Sequence, residues 1–136
     1  MLTSVLGARM RWHLNNGWVF DPAIVGPDIV EYTLVKGPHV GRHAIQRHYY
    51  QYVAPGVETL VWYEESGAVV HFTWYLERQT MHRWAALPAW LYANIDKVYA
   101  GSNQDPAFVE NIRKNSAENP DYPRHIMSDW GYFEVL

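Results

Sequence analysis

The sequence predicts an all-β protein, an antiparallel up-and-down β-barrel with one or two short helices. Three observations carry that prediction. Turn residues punctuate the first two thirds of the chain about every eight to twelve residues, the spacing of a strand meander. Between the turns, apolar and polar residues alternate with the period of two that belongs to half-buried strands. Aromatic residues make up 15% of the chain, with seven Trp and ten Tyr, and these suit a pleated surface. The count comes to about eight or nine strands and one late helix. Ring closure is favoured because it leaves no unpaired strand edge. A ring of about eight strands has an interior that side chains fill or that holds one small ligand.

Each element has its own justification. In Arg9 to Leu14, Met10, Trp12 and Leu14 fall on one face and Arg9, Arg11 and His13 on the other. Asn16-Gly17 follows, and this pair accepts the positive φ that tight hairpins need. Trp18 to Phe20 begins the return strand, expected to continue irregularly because Pro22 removes a ladder donor. Gly26-Pro27-Asp28 turns into Ile29 to Val35, where Val30, Tyr32 and Leu34 align. After Lys36-Gly37-Pro38, Gly41 to Val53 is a long strand candidate. In Val57 to Glu65, Leu60, Trp62 and Glu64 share one face by period two. Val70, Phe72, Trp74 and Leu76 form the apolar face of the next strand, and Met81 to Leu87 follows. Pro88 and Trp90 open a short helical piece. Ile95 to Tyr99 reads as one more strand. Asp105-Pro106 caps a helix over Ala107 to Asn115. Ser128 to Leu136 closes the chain as a strand. The 136 residues suit one domain, 1–136.

Composition narrows the function. Cysteine is absent, which excludes disulfides, thiolate nucleophiles and zinc–thiolate sites. A net charge of -3 gives no electrostatic reason to expect nucleic acid. No apolar run approaches a membrane span, and Met1 to Met10 lacks the pattern of a secretory signal. The expectation is a soluble cytoplasmic protein. Seven histidines occur, but His43 and His48 have opposite parity within one strand, and no pair has a recognised ligand spacing; no metal site is expected. Glycine-rich phosphate loops and nucleophile elbows are missing as well.

Two residues stand out chemically. Glu64 shares the inward face of Leu60 and Trp62, and a buried carboxylate has a raised pKa suited to a general acid or base near neutral pH. If the strand ends at Glu64, that side chain is instead solvated. Arg42, at the start of a strand, is a natural partner for such a carboxylate, or an anchor for an acidic substrate. An Arg at a strand start can equally be a surface residue. Tyr49, Tyr50 and Tyr52 form a further possible donor cluster.

Taken in order, Leu6-Gly7, Asn16-Gly17-Trp18, Glu31-Tyr32, Gly41-Arg42, Trp62 followed by Glu64, Met81-His82, Pro88 with Trp90, and Tyr122-Pro123 resemble the bacterial phenolic acid decarboxylases from Val5 to Leu136. The resemblance implies a lipocalin-like barrel that forms homodimers. It implies cofactor-free, metal-free loss of CO2 from 4-hydroxycinnamic acids. The family's essential Arg and Glu fall on Arg42 and Glu64, and Tyr32, Trp62 and Val70 fall on pocket positions. Trp12 and Leu14 stand where the family has a substrate-binding tyrosine pair, and Phe20 replaces another pocket tyrosine. A polar clamp thus becomes an apolar wall by this reading. Two alternatives stay open: another proton-transfer enzyme (isomerase, dehydratase or cyclase) on a more apolar substrate, or a lipocalin-like binder of a small aromatic ligand.

Overall fold

Eight antiparallel strands close into a barrel in sequence order, β1-β2-β3-β4-β5-β6-β7-β8, in a computed structural model that describes residues 1–136. The strands are β1 (Met10–Leu14), β2 (Val19–Ile24), β3 (Ile29–Lys36), β4 (His43–Ala54), β5 (Val57–Tyr63), β6 (Val69–Tyr75), β7 (Thr80–Pro88) and β8 (Arg124–Val135). The ring closes where β8 pairs with β1, setting Trp12 opposite Phe133. Every connection is a short hairpin except the one between β7 and β8. That segment carries α1 (Ala89–Ala93), α2 (Ile95–Val98) and α3 (Pro106–Glu118), so the helices number three rather than one or two.

Alternation sets what faces inward. Burial follows the expected parity along β1, β3 and β6, placing Met10, Trp12, Leu14, Val30, Tyr32, Leu34, Val70, Phe72 and Trp74 inside. β2 runs through Pro22 to Ile24 on the β3 side. It does so because β1 pairs with β2 only at Trp12–Phe20 and His13–Val19, so the missing Pro22 N–H interrupts no ladder there.

Ile95 to Tyr99 is not a strand. The segment forms α2, with the Lys97 and Val98 amides bonded to the Asn94 carbonyl. The physical reason is closure: β7 already pairs with β8 from Thr80–Tyr132 to Pro88–Arg124, so no edge remains for a ninth strand. A segment with no strand partner satisfies its backbone locally, as a helix does. α3 begins as anticipated, Asp105 Oδ1 accepting from the Ala107 amide at 3.0 Å with Pro106 in the first turn.

The core has two parts. Eighteen buried residues fill the barrel, and a second cluster of six (Ala68, Leu87, Leu91, Tyr99, Phe108 and Ile112) joins the helices to one rim. The helical segment therefore covers one mouth. Asn103 ties it down: its amide accepts from Ile45 N at 2.9 Å and donates to Ile45 O and Glu65, each at 2.7 Å. Gly101 lets the segment approach closely, since a Cβ there would sit 2.9 Å from the Phe108 ring. The N-terminal residues plug the opposite end, where buried Glu58 accepts from Ser4 Oγ and the Val5 amide, each at 2.9 Å. No helix is long and apolar enough to cross a membrane.

Candidate active site

Under the helical cover lies a cavity of about 670 Å³ of empty space including its mouth, lined by seventeen residues of which thirteen are apolar. The charged side chains of Glu64, Arg42 and Arg83 interrupt those walls, as do the hydroxyls of Tyr32 and Tyr99. Strand β5 ends at Tyr63, yet Glu64 keeps the inward parity of Leu60 and Trp62. The following turn holds it there: the Glu64 amide bonds Ala68 O at 2.8 Å, and the Gly67 amide bonds Glu64 O at 2.9 Å. The side chain is half-buried.

Three donors converge on the Glu64 carboxylate. The Tyr32 hydroxyl donates to Oε2, the Tyr99 hydroxyl donates to Oε1, and Trp62 Nε1 donates to Oε2 at 3.2 Å. Tyr32 comes from the wall strand β3, whereas Tyr99 follows α2 in the helical cover. Tyr99 also lies 3.2 Å from Ser66 Oγ. Burial first, and the negative charge of Glu64 second, push both phenols well above their ordinary pKa. Both therefore stay protonated and remain donors.

Arg42 lies in the connection before β4 and is 5% exposed. It forms no ion pair with Glu64; its guanidinium instead stacks over the Tyr99 ring, 3.8 Å from the centroid. Burial works to lower its pKa, but the oxygens of Tyr32, Tyr99 and Glu64 outweigh that and raise it. Nη1 and Nη2 are buried without any hydrogen-bond partner. Two orphaned charged donors in an apolar cavity make a receptor for an oxyanion.

Of the other expected pocket residues, Trp12, Phe20, Tyr32, Trp62 and Val70 line the cavity. Leu14 does not. It has the expected inward parity and packs in the barrel core, but its side chain is not part of the lining. Period two fixes the face of a strand, not the depth along it. Tyr49, Tyr50 and Tyr52 do not line the cavity either. No group of three or more His, Asp or Glu side chains is arranged to hold a metal ion.

Among the lining residues that carry polar side-chain groups, three were not anticipated from the sequence: Tyr99, Trp18 and Arg83. Only Arg83 left a signal, sharing parity with Met81 and Ala85 on β7. It is 4% exposed, pairs with Asp129 directly across on β8, and lies 5.0 Å from the Trp18 ring.

A sequence model of the family described as phenolic acid decarboxylase (PAD) matches residues 2–135. The chain belongs to the phenolic acid decarboxylase family. Among curated proteins, no sequence matches significantly. Among solved structures, the chain is similar to a "putative beta-lactamase" from Burkholderia vietnamiensis, at 12% identity and a TM-score of 0.63, over 96% of this chain and 94% of the other. At that identity the likeness speaks for the barrel alone. In this member of the family, an acid and a guanidinium line one mainly apolar cavity.

Proposed function

We propose that this chain is a carboxy-lyase that removes CO2 without oxidation from a 4-hydroxycinnamate-like or related small aromatic unsaturated acid. Glu64 is its general acid–base and Arg42 its carboxylate anchor. One observation carries the reading: a carboxylate held by three donors shares an apolar cavity with a guanidinium whose two Nη atoms have no partner.

The substrate carboxylate satisfies Arg42 Nη1 and Nη2. Glu64, in its acid form, gives its proton to the alkene carbon next to that carboxylate while the ring phenolate supplies the electron pair. This yields a quinone methide. The bond to the carboxylate then breaks, CO2 leaves, and the electron pair returns through the ring to give a vinylphenolate. One proton enters and one CO2 departs, so no oxidant or reductant is needed. The Tyr32 and Tyr99 hydroxyls stabilise the carboxylate that Glu64 becomes on delivering its proton. Glu64 then regains a proton from solvent. The aromatic rings of Trp12, Phe20, Trp62 and Phe72 suit a flat substrate.

The test is direct. With p-coumaric, ferulic and caffeic acids, the ultraviolet band of the conjugated acid should decay as the vinylphenol accumulates. An unchanged band at high enzyme concentration with all three acids defeats the proposal.

A further inference from the structure

Opposite charges in a mainly apolar cavity attract strongly, because little water screens them. Arg42 and Glu64 line the same cavity, yet no ion pair forms between them. Tyr99 touches both, with different atoms. Its hydroxyl donates to Glu64 Oε1, and its ring face carries the Arg42 guanidinium at 3.8 Å from the centroid. A second ring of the cover, Phe108, lies 5.4 Å from the same guanidinium. The main chain fixes the other end of Arg42: its amide bonds His39 O at 3.0 Å, and its carbonyl accepts from the Leu34 amide at 2.8 Å. Only the side chain is left to choose between ring and carboxylate. Tyr99 is itself firmly placed. Its amide bonds Ile95 O at 3.1 Å, and its side chain belongs to the buried cluster of Leu91, Phe108 and Ile112. A ring face attracts a guanidinium without consuming an N–H, so Nη1 and Nη2 of Arg42 keep their bonding capacity.

We infer that Tyr99 is a positioning residue whose ring holds the Arg42 guanidinium off the Glu64 carboxylate, leaving the first open to an acid ligand and the second free to exchange a proton. The inference rests on the roles proposed above for Glu64 and Arg42. A direct pair would spend the Nη donors inside the protein and hold the carboxylate as an anion. Tyr99 prevents both with one side chain: the ring competes for the cation, and the hydroxyl occupies a carboxylate oxygen that the cation would otherwise take. The two parts can be removed separately, since the hydroxyl is lost in Tyr99→Phe and the whole ring in Tyr99→Leu.

Binding of 3-phenylpropionate, which lacks the alkene and cannot react, tests this without turnover; calorimetry gives each Kd. Tyr99→Phe keeps the ring under Arg42, and its Kd should stay within about twofold of wild type. Tyr99→Leu frees Arg42 to pair with Glu64, and its Kd should rise about tenfold. Adding Glu64→Gln to Tyr99→Leu takes away the competing charge and should return the Kd to within about threefold of wild type. A merely structural Tyr99 gives no such rescue, because a second substitution in a loosened cavity restores nothing. Should Tyr99→Leu not fold, Tyr99→Met fills the space without a ring face and carries the same two expectations, alone and with Glu64→Gln. An unchanged Kd in the folded Leu or Met variant, a double variant no tighter than the single one, or a Phe variant as weak as the Leu variant overturns the inference. A wild-type protein that binds no acid overturns it together with the lyase proposal. The expected binding pattern without turnover sinks the lyase proposal alone.

Discussion

Replacing Glu64 with Gln probes the reaction with little damage to its frame. The amide is isosteric, and its oxygen can take the place of Oε2, accepting from Tyr32 and from Trp62 Nε1. The amide NH2 would then face the Tyr99 hydroxyl, which can rotate to accept from it and donate to Ser66 Oγ at 3.2 Å. All three contacts survive as neutral hydrogen bonds. Each charged bond contributes about 1.5–3 kcal/mol and each neutral one about 0.5–1.5 kcal/mol. The loss over three bonds is therefore about 3–4.5 kcal/mol, offset in part because a carboxylate no longer has to leave water. Folding stability should change by no more than about 2 kcal/mol after that offset. Turnover responds differently, since an amide cannot deliver the proton. Loss of a general acid costs about 10²–10⁴ in rate. The assay follows the conjugated-acid band in wild type and Glu64→Gln, with chemical denaturation run on both and the Kd of an unreactive saturated acid measured alongside. Full activity in the Gln variant would show that Glu64 is not the proton donor. Lost activity with lost ligand binding would assign it to positioning instead.

Three further outcomes are expected. Asn103→Ala removes the three bonds that tie the helical cover to Ile45 and Glu65, lowering stability by about 2 kcal/mol in denaturant titrations; it should also lower kcat, because Tyr99 sits on the same segment. At alkaline pH, Tyr32 and Tyr99 stay protonated in the fold while unfolded tyrosines ionise near 10.0, so the folded state holds more protons and stability falls as pH rises above 10. The slope should reach about 2.7 kcal/mol per pH unit and halve in Tyr99→Phe, measured by urea midpoints. At acid pH, burial depresses the pKa of His48, whose ring nitrogens have no partner, so the unfolded chain binds the extra proton below 6.5. Stability should fall there by up to about 1.4 kcal/mol per pH unit, and His48→Leu should flatten that limb.

The barrel was legible because period two and the turn residues are local signals, and strands that follow one another through short hairpins need nothing else. Glu64 and Arg42 were legible as residues but not as a contact. Alternation puts Glu64 inside, yet nothing local says that two phenols will claim its oxygens and leave Arg42 free. Tyr99 was hidden for a different reason. It reaches Glu64 from thirty-five positions away, through a segment whose path is set by Asn103 gripping Ile45 and by Phe108 packing beneath the cover. Five apolar-flanked residues at Ile95 to Tyr99 look alike as strand or helix, and only the closed ring decides between them. Arg83 shares a face with Met81 and Ala85, so its burial followed from the alternation already used; its partner, Asp129, required the β7–β8 register.

The inward row of β5 sets a carboxylate at each end of the barrel, and only one of them lines the cavity described above. Glu58, Leu60, Trp62 and Glu64 follow one another on the inner face, so two carboxylates stand about 20 Å apart along it. Glu58 is 3% exposed and accepts from a backbone amide and a serine hydroxyl of the N-terminal plug. That carboxylate closes the barrel and does not line the cavity that Glu64 borders. Glu64 is bonded by side chains alone, two of them phenols that can reorient, and it borders empty space. The difference lies in what covers each end. The plug gives Glu58 a backbone amide and a serine hydroxyl at once, whereas the helical cover turns its own amides inward on themselves and offers Glu64 only a hydroxyl. A carboxylate held by hydroxyls can exchange a proton with a substrate and be stabilised again on the same partners. One held by a backbone amide and built into the plug cannot do so without opening the barrel.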